Sequence, residues 1–219
     1  MKLGFVPFVL SVLFALAPLE ASVGIAVVLY PSEDHSRLVV QQMQEELKRT
    51  LRGTEAQVEW LDQSNATKQF VGRRVSVTLL GDCTGDLLDG APNGALGWAK
   101  VQDGRVLPYV NIDCDRVRAQ ISPEIFEEGQ VAREVRVGRA LGRVLAHELA
   151  HVMRRDRVHG EDGLTGERLN ARDLLLGSMR LSAADLTPTT PTALRLRRVA
   201  VAPAGGDWIE PSEADGDGR

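Results

Sequence analysis

An α+β fold is the class that this chain of 219 residues predicts. Three observations carry it. A strand–helix–strand–strand succession runs from Gly24 to Leu80, the opening of a layered sandwich. Two short β-like runs flank Gln102-Asp103-Gly104 and read as a hairpin. One long helical pattern, Val131 to Arg154, is apolar over a wide arc, as a helix lying under the sheet near the centre of the domain must be.

Gly24 to Tyr30 (GIAVVLY) is an apolar, β-rich run closed by Pro31-Ser32, the first strand. Ser32 or Asp34 is placed to cap the next element. From Arg37 to Leu51, the residues Leu38, Met43, Leu47 and Leu51 recur at helical spacing among polar residues, so one face is buried, and Gly53 ends the helix. Gln57 to Leu61 alternates with Val58 and Trp60 on one side, and Arg73 to Leu80 alternates again. Asp86 to Gly94 is a loop. Ala95 to Lys100 and Arg105 to Asn111 form the arms of the hairpin. Asp115 is expected to cap a short helix through Arg118, and Ser122-Pro123-Glu124 resembles a separate helix start. Within Val131 to Arg154, Gly138 and Gly142 each cost roughly 1 kcal/mol of helix propensity; their four-residue spacing is read as close approach of a neighbouring strand. A helix is expected over Asn170 to Leu176 and another short one from Ser182.

Composition narrows the function classes. The net charge is −4, with 26 basic residues spread among 30 acidic ones, which gives no electrostatic footprint for nucleic acid. Lys2 precedes an apolar run from Leu3 to Leu19, the pattern of a signal peptide over residues 1–21 with cleavage after Ala21; an uncleaved anchor is the alternative. Residues 22–199 then make one domain and 200–219 an acidic, Gly- and Pro-rich tail. No later stretch is apolar enough for stable membrane insertion, so the mature chain is expected in the periplasm or outside the cell. In that setting Cys83 and Cys114 favour a single disulfide over a metal or redox pair, since neither sits in a Cys-x-x-Cys unit.

The chemistry concentrates in His147-Glu148-Leu149-Ala150-His151. Residues i and i+4 of a helix face the same way, so His147 and His151 can aim ring nitrogens at one Zn2+ ion, about 2.0–2.1 Å from each. Glu148 is offset from the first ligand and can serve as general base toward a zinc-activated water. A third ligand is required. His159 is the first candidate, because the helix should end near Arg154 and the chain can turn back; Glu161 and Glu167 are rivals, and Asp156 follows the helix too closely. His35 reads as a solvated histidine. The bland alternative is a helix whose His147, Glu148 and His151 merely hydrogen-bond within the domain, which is costly in so apolar a neighbourhood.

These residues give the chain a resemblance to the zincin metallopeptidases, and within them to the metzincin-like branch. That branch places a glycine three residues, and a third ligand six residues, after the second histidine. Here those positions hold Arg154 and Arg157, and His159 comes eight residues after His151. The chain also looks like small exported proteins of soil bacteria, Acidobacteria especially, through Val58–Leu61, Ala95–Trp98, Leu107–Val110, Asp113–Val117 and Leu141–His151. The resemblance implies a mixed, mostly parallel sheet packed on the central helix, with a peptide or protein substrate extended along an edge strand at Ala95 to Val101. It also implies a methionine turn, a neighbourhood held here by Gly163-Leu164-Thr165; Met179 is the other possibility or simply a core residue. Arg154, Arg155 and Arg157 fit either a helix C-terminus or attraction of an acidic substrate. Trp60 and Trp98 are read as core packing rather than as substrate platforms, although Trp98 lies close to the proposed edge. The function expected is peptide-bond hydrolysis, with a weakly active or inactive zincin scaffold that binds a peptide or cell-surface partner as the alternative.

Overall fold

In a computed structural model, residues 23–65, 70–90 and 94–189 are described. The leader, the acidic tail and the ends of the expected domain therefore lie outside the described residues. Five strands, β1 (Val23–Tyr30), β2 (Ala56–Leu61), β3 (Arg73–Leu80), β4 (Gly97–Gln102) and β5 (Arg105–Asp113), form one sheet in the order β2-β1-β3-β5-β4. β1, β2, β3 and β5 run parallel, and only β4 is antiparallel, to β5. The α+β class with a mixed, mostly parallel sheet is what the structure has.

Among the described residues, four α-helices accompany the sheet: α1 (Arg37–Thr50), α2 (Cys114–Ile125), α3 (Gln130–Arg154) and α4 (Ala171–Leu175). The main core joins Ile25, Val27, Val75, Val77 and Ile112 of the sheet to Val39, Met43 and Leu47 of α1 and Leu141, Leu145 and Leu149 of α3. Alternate residues of β1, Ala26 and Val28, meet Leu61 on the opposite face. Both faces of this interior strand are buried, which is why its sequence is continuously apolar rather than alternating.

The hairpin forms with a two-residue turn. Asp103 and Gly104 have φ of 49° and 72°, and Gln102 pairs with Arg105, the geometry of a primed turn that matches strand twist. Three expectations are corrected. The cap of α1 is Ser36, whose Oγ accepts from the Leu38 N–H; Asp34 is occupied instead in a bridge to Cys83. Residues 114–125 form one helix rather than two starts. Its cap is Asp113, which accepts from the Arg116 N–H, while Asp115 pairs with Arg118. Pro123 falls in its last turn, and the Ser122 hydroxyl accepts from the Leu88 N–H rather than capping a helix. A Cys83–Cys114 disulfide, with Cα atoms 5.1 Å apart, joins the chain just after β3 to the first residue of α2.

The third correction concerns the glycines of α3. The element that approaches them is α1, not a strand. A Cβ on Gly138 would lie 2.5 Å from the Val39 carbonyl oxygen and 2.5 Å from Gln42 Cβ; on Gly142 it would lie 2.7 Å from the Met43 carbonyl oxygen. Backbone meets backbone here, and there is no flexible side chain to yield. Gly138→Ala is therefore expected to destabilise the protein by about 1–3 kcal/mol despite its better helix propensity. Urea denaturation reads this directly, and an alanine variant as stable as the parent would show that the two helices are not in this contact.

Candidate metal centre

α3 is the structural axis of the site. Its first turns are half exposed, but every residue from Ala140 to Arg154 is buried. The helix therefore carries His147, Glu148 and His151 into the interior, at 8%, 6% and 9% exposure. Polar side chains in such surroundings need partners.

Each histidine of the helix finds one partner in a backbone carbonyl. The Nδ1 of His147 is 2.7 Å from the Leu164 oxygen, and the Nδ1 of His151 is 3.0 Å from the Asp156 oxygen. A carbonyl oxygen only accepts, so in each ring the proton belongs on Nδ1 and the lone pair is left on Nε2. Those two Nε2 atoms face one another 3.1 Å apart. Two acceptors that face each other at this distance repel; a shared cation removes the conflict. Two nitrogens about 2.0–2.1 Å from a tetrahedral zinc would lie roughly 3.3 Å apart.

His159 completes the group. Its ring centroid is 5.3 Å from that of His147 and 4.8 Å from that of His151, and the nitrogens that the three can offer lie within 4.8 Å of one another. It is exposed and approaches from the cleft side. The donor set, three imidazoles with an intervening glutamate, fits a zinc ion. This arrangement matches the active-site pattern of zinc-dependent peptidases of the zincin type. In comparisons with known proteins, no family model and no curated protein matches the chain.

Burial and the neighbouring rings keep the two helix histidines neutral. Burial pushes His147 below the usual histidine range, and burial with His147 and His159 beside it takes His151 down to about 4. Both rings therefore stay available as lone-pair donors at neutral pH. Burial also raises Glu148 to about 7, against a smaller opposing effect of the Ala99 N–H. Its Oε1 is 4.0 Å from His147 Nε2, beside the histidine cluster rather than within it.

The zincin-like site opens into a cleft of about 690 Å³ bordered by β4. Gly97 lets β4 lie close against α3 beside the site: a Cβ there would come 2.7 Å from Val144 Cγ1 and 3.3 Å from Glu148 Cγ, so a side chain would lift the strand off the helix. Trp98, Lys100, Arg157 and Glu167 also line the cleft. Trp98 is 37% exposed, which corrects its assignment to the core; Trp60 does pack against the core. Residues 160–166 are not part of the cleft lining.

The other expected residues separate by role. His35 is exposed and turns its Nδ1 to the Ser32 carbonyl. Glu161 is exposed and outside the cleft lining, whereas Glu167 is exposed within it. Asp156 offers His151 its carbonyl, and its carboxylate pairs with Arg154. Arg154 stands in the last turn of α3, as the helix-terminus reading has it, but it is buried in an ion pair and so is not free to attract a substrate; Arg155 and Arg157 are exposed. In place of a methionine turn, Gly163–Thr165 is a 3-10 turn that delivers the Leu164 carbonyl to His147. Met179 is half-buried against the core. Sequence reasoning missed Gly97 and the Leu164 and Asp156 carbonyls. Every residue has a carbonyl, so no residue type could have signalled the latter two.

Proposed function

We propose that the protein is a secreted or periplasmic zinc peptidase that hydrolyses peptide bonds, with His147, His151 and His159 as the metal ligands and Glu148 as the general base. The observation that carries this reading is the pair of Nε2 lone pairs facing each other at 3.1 Å in a buried site beside an ionisable glutamate. Bound there, Zn2+ would act as a Lewis acid, polarising the scissile carbonyl and making water a better nucleophile. The Leu164 and Asp156 carbonyls hold the two helix rings with Nε2 turned inward. The Glu148 carboxylate takes the proton from the attacking water and returns it to the leaving amine. A carboxyl whose affinity for protons is raised toward neutrality suits both transfers.

An extended peptide fits along β4, the antiparallel edge strand of the sheet, where Trp98 offers an apolar surface. The open cleft favours turnover over a scaffold that retains the ion for structure alone. Removal of residues 1–21, a domain over 22–199 and export of the mature chain belong to the same reading, as does the likeness to small exported proteins of soil bacteria. Among the described residues no helix is long and apolar enough to cross a membrane.

The test is direct. Purified mature protein should contain close to one zinc per chain and cleave members of a mixed peptide library, with cleavage lost on chelation and restored by zinc. Zinc uptake without cleavage of any peptide would select the scaffold. No uptake of a divalent metal would end both readings.

A further inference from the structure

The chain between the second and third histidines departs from the zincin spacing in length and in lacking the glycine, so something else must set its course. α3 ends at Arg154, and Arg155 reverses the chain with φ of 60°, a left-handed conformation that a non-glycine residue adopts at some cost. Directly around this reversal sits a buried ion pair. Arg154 is 3% and Asp156 6% exposed. The guanidinium donates from Nε at 3.1 Å and from Nη2 at 2.7 Å to Asp156 Oδ1.

Two further bonds of the pair act on the same loop, and the others tie it to Thr189 and to Asp185, whose Oδ1 is 4.0 Å from Arg154 Nη1. Arg154 Nη2 also donates to the Val158 carbonyl, and Asp156 Oδ1 accepts from the Val158 N–H at 3.2 Å. Asp156 Oδ2 accepts from the Thr189 hydroxyl, and the Thr189 N–H donates to the Arg154 carbonyl at 3.0 Å. Val158, gripped at both backbone groups, directly precedes His159. Asp156, fixed by its side chain, presents its own carbonyl to His151 Nδ1.

We propose that Arg154 and Asp156 are positioning residues for the metal centre: their ion pair holds residues 155–158 so that the Asp156 carbonyl fixes the proton of His151 on Nδ1 and His159 returns to the two helix histidines. The inference rests on the metal reading of the site, yet half of it concerns the metal-free protein. A fixed loop presents the ligands already arranged, whereas a loose loop must be ordered when the ion binds, which lowers affinity. A buried pair that only stabilised the fold would leave the affinity of the folded protein unchanged.

The experiment uses Asp156→Asn, Arg154→Met, the double variant and the milder Arg154→Lys, each checked for folding by circular dichroism. Zinc affinity is measured by chelator competition on the folded fraction. The ring tautomer of His151 is read by nitrogen-15 NMR in the metal-free protein. Affinity is expected to fall about 10- to 100-fold in the single variants, no further in the double variant, and less in Arg154→Lys. His151 should change from a single Nδ1–H form to a mixture. Folded variants with parental zinc affinity and an unchanged His151 tautomer would overturn the proposal. If the parent itself takes up no zinc, the peptidase reading fails, and the tautomer measurement still decides whether the pair orients His151.

Discussion

Glu148→Gln is expected to reduce peptide cleavage about 100- to 10,000-fold while leaving zinc content at the parental level. The amide keeps the shape of the side chain under β4 but cannot take a proton from water. Kinetics on the best library peptide, with metal analysis of the same sample, separates loss of the base from loss of the ion. A variant that keeps parental turnover would remove Glu148 from the mechanism.

The same variant has a second signature in the metal-free protein. Burial raises Glu148 from its ordinary 4.5 to about 7. Below pH 4.5 folded and unfolded chains both hold the proton, so the group costs nothing. As pH rises toward 7 the unfolded chain loses its proton first, and the folded state is progressively disfavoured, by on the order of 3 kcal/mol once the folded group has ionised too. Glu148→Gln should therefore stabilise chelator-treated protein at pH 8 by about that amount and hardly at all at pH 4.5. His151 works in the opposite direction. Its ordinary value of 6.5 falls to about 4, so stability is lost as pH drops through that window, where the unfolded chain accepts a proton that the folded ring refuses. The two contributions oppose each other in the parent. Removing Glu148 should expose the acid sensitivity of His151, visible in urea denaturation at a series of pH values. Equal gains at pH 8 and pH 4.5 would show that the carboxyl is not desolvated as described.

His159→Ala is expected to weaken zinc binding about 100-fold or more, since one of three protein ligands is lost from a site whose binding free energy is shared among few donors. Glu167→Gln and Glu161→Gln should keep parental affinity, and His35→Ala serves as a remote control. Glu167 is the informative comparison because it lines the same cleft as His159. Zinc retained in His159→Ala but lost in Glu167→Gln would reassign the third ligand and leave the helix pair intact.

Much of this architecture was legible because it is local. β3 has the bounds expected of it, β1 and β2 differ by one residue, and the Asp103-Gly104 turn forms the hairpin that its residue types require. Asn170 caps α4 through a capping box, as a short polar residue before an apolar run should. The reading of 114–125 was less good because Asp115 and Ser122 are competent caps in isolation. Their side chains are taken by Arg118 and by the Leu88 N–H, partners that only folding brings near. Gly138 and Gly142 showed that something comes close, but a missing side chain says nothing about which element fills the space.

By itself the sequence determined the α+β class, the disulfide partners and the helix turn that sets two imidazoles and a carboxylate on neighbouring positions. The first and last follow from periodicity and spacing along a regular backbone, and the disulfide from there being two cysteines to pair. The tertiary structure alone decided that β4 lies at the antiparallel edge above Glu148, that the Leu164 and Asp156 carbonyls aim the rings, and that Arg154 is buried in an ion pair. The first two arise between segments distant in the chain or from backbone atoms common to every residue; the ion pair joins near neighbours, but its burial beside Thr189 and Asp185 comes only with folding.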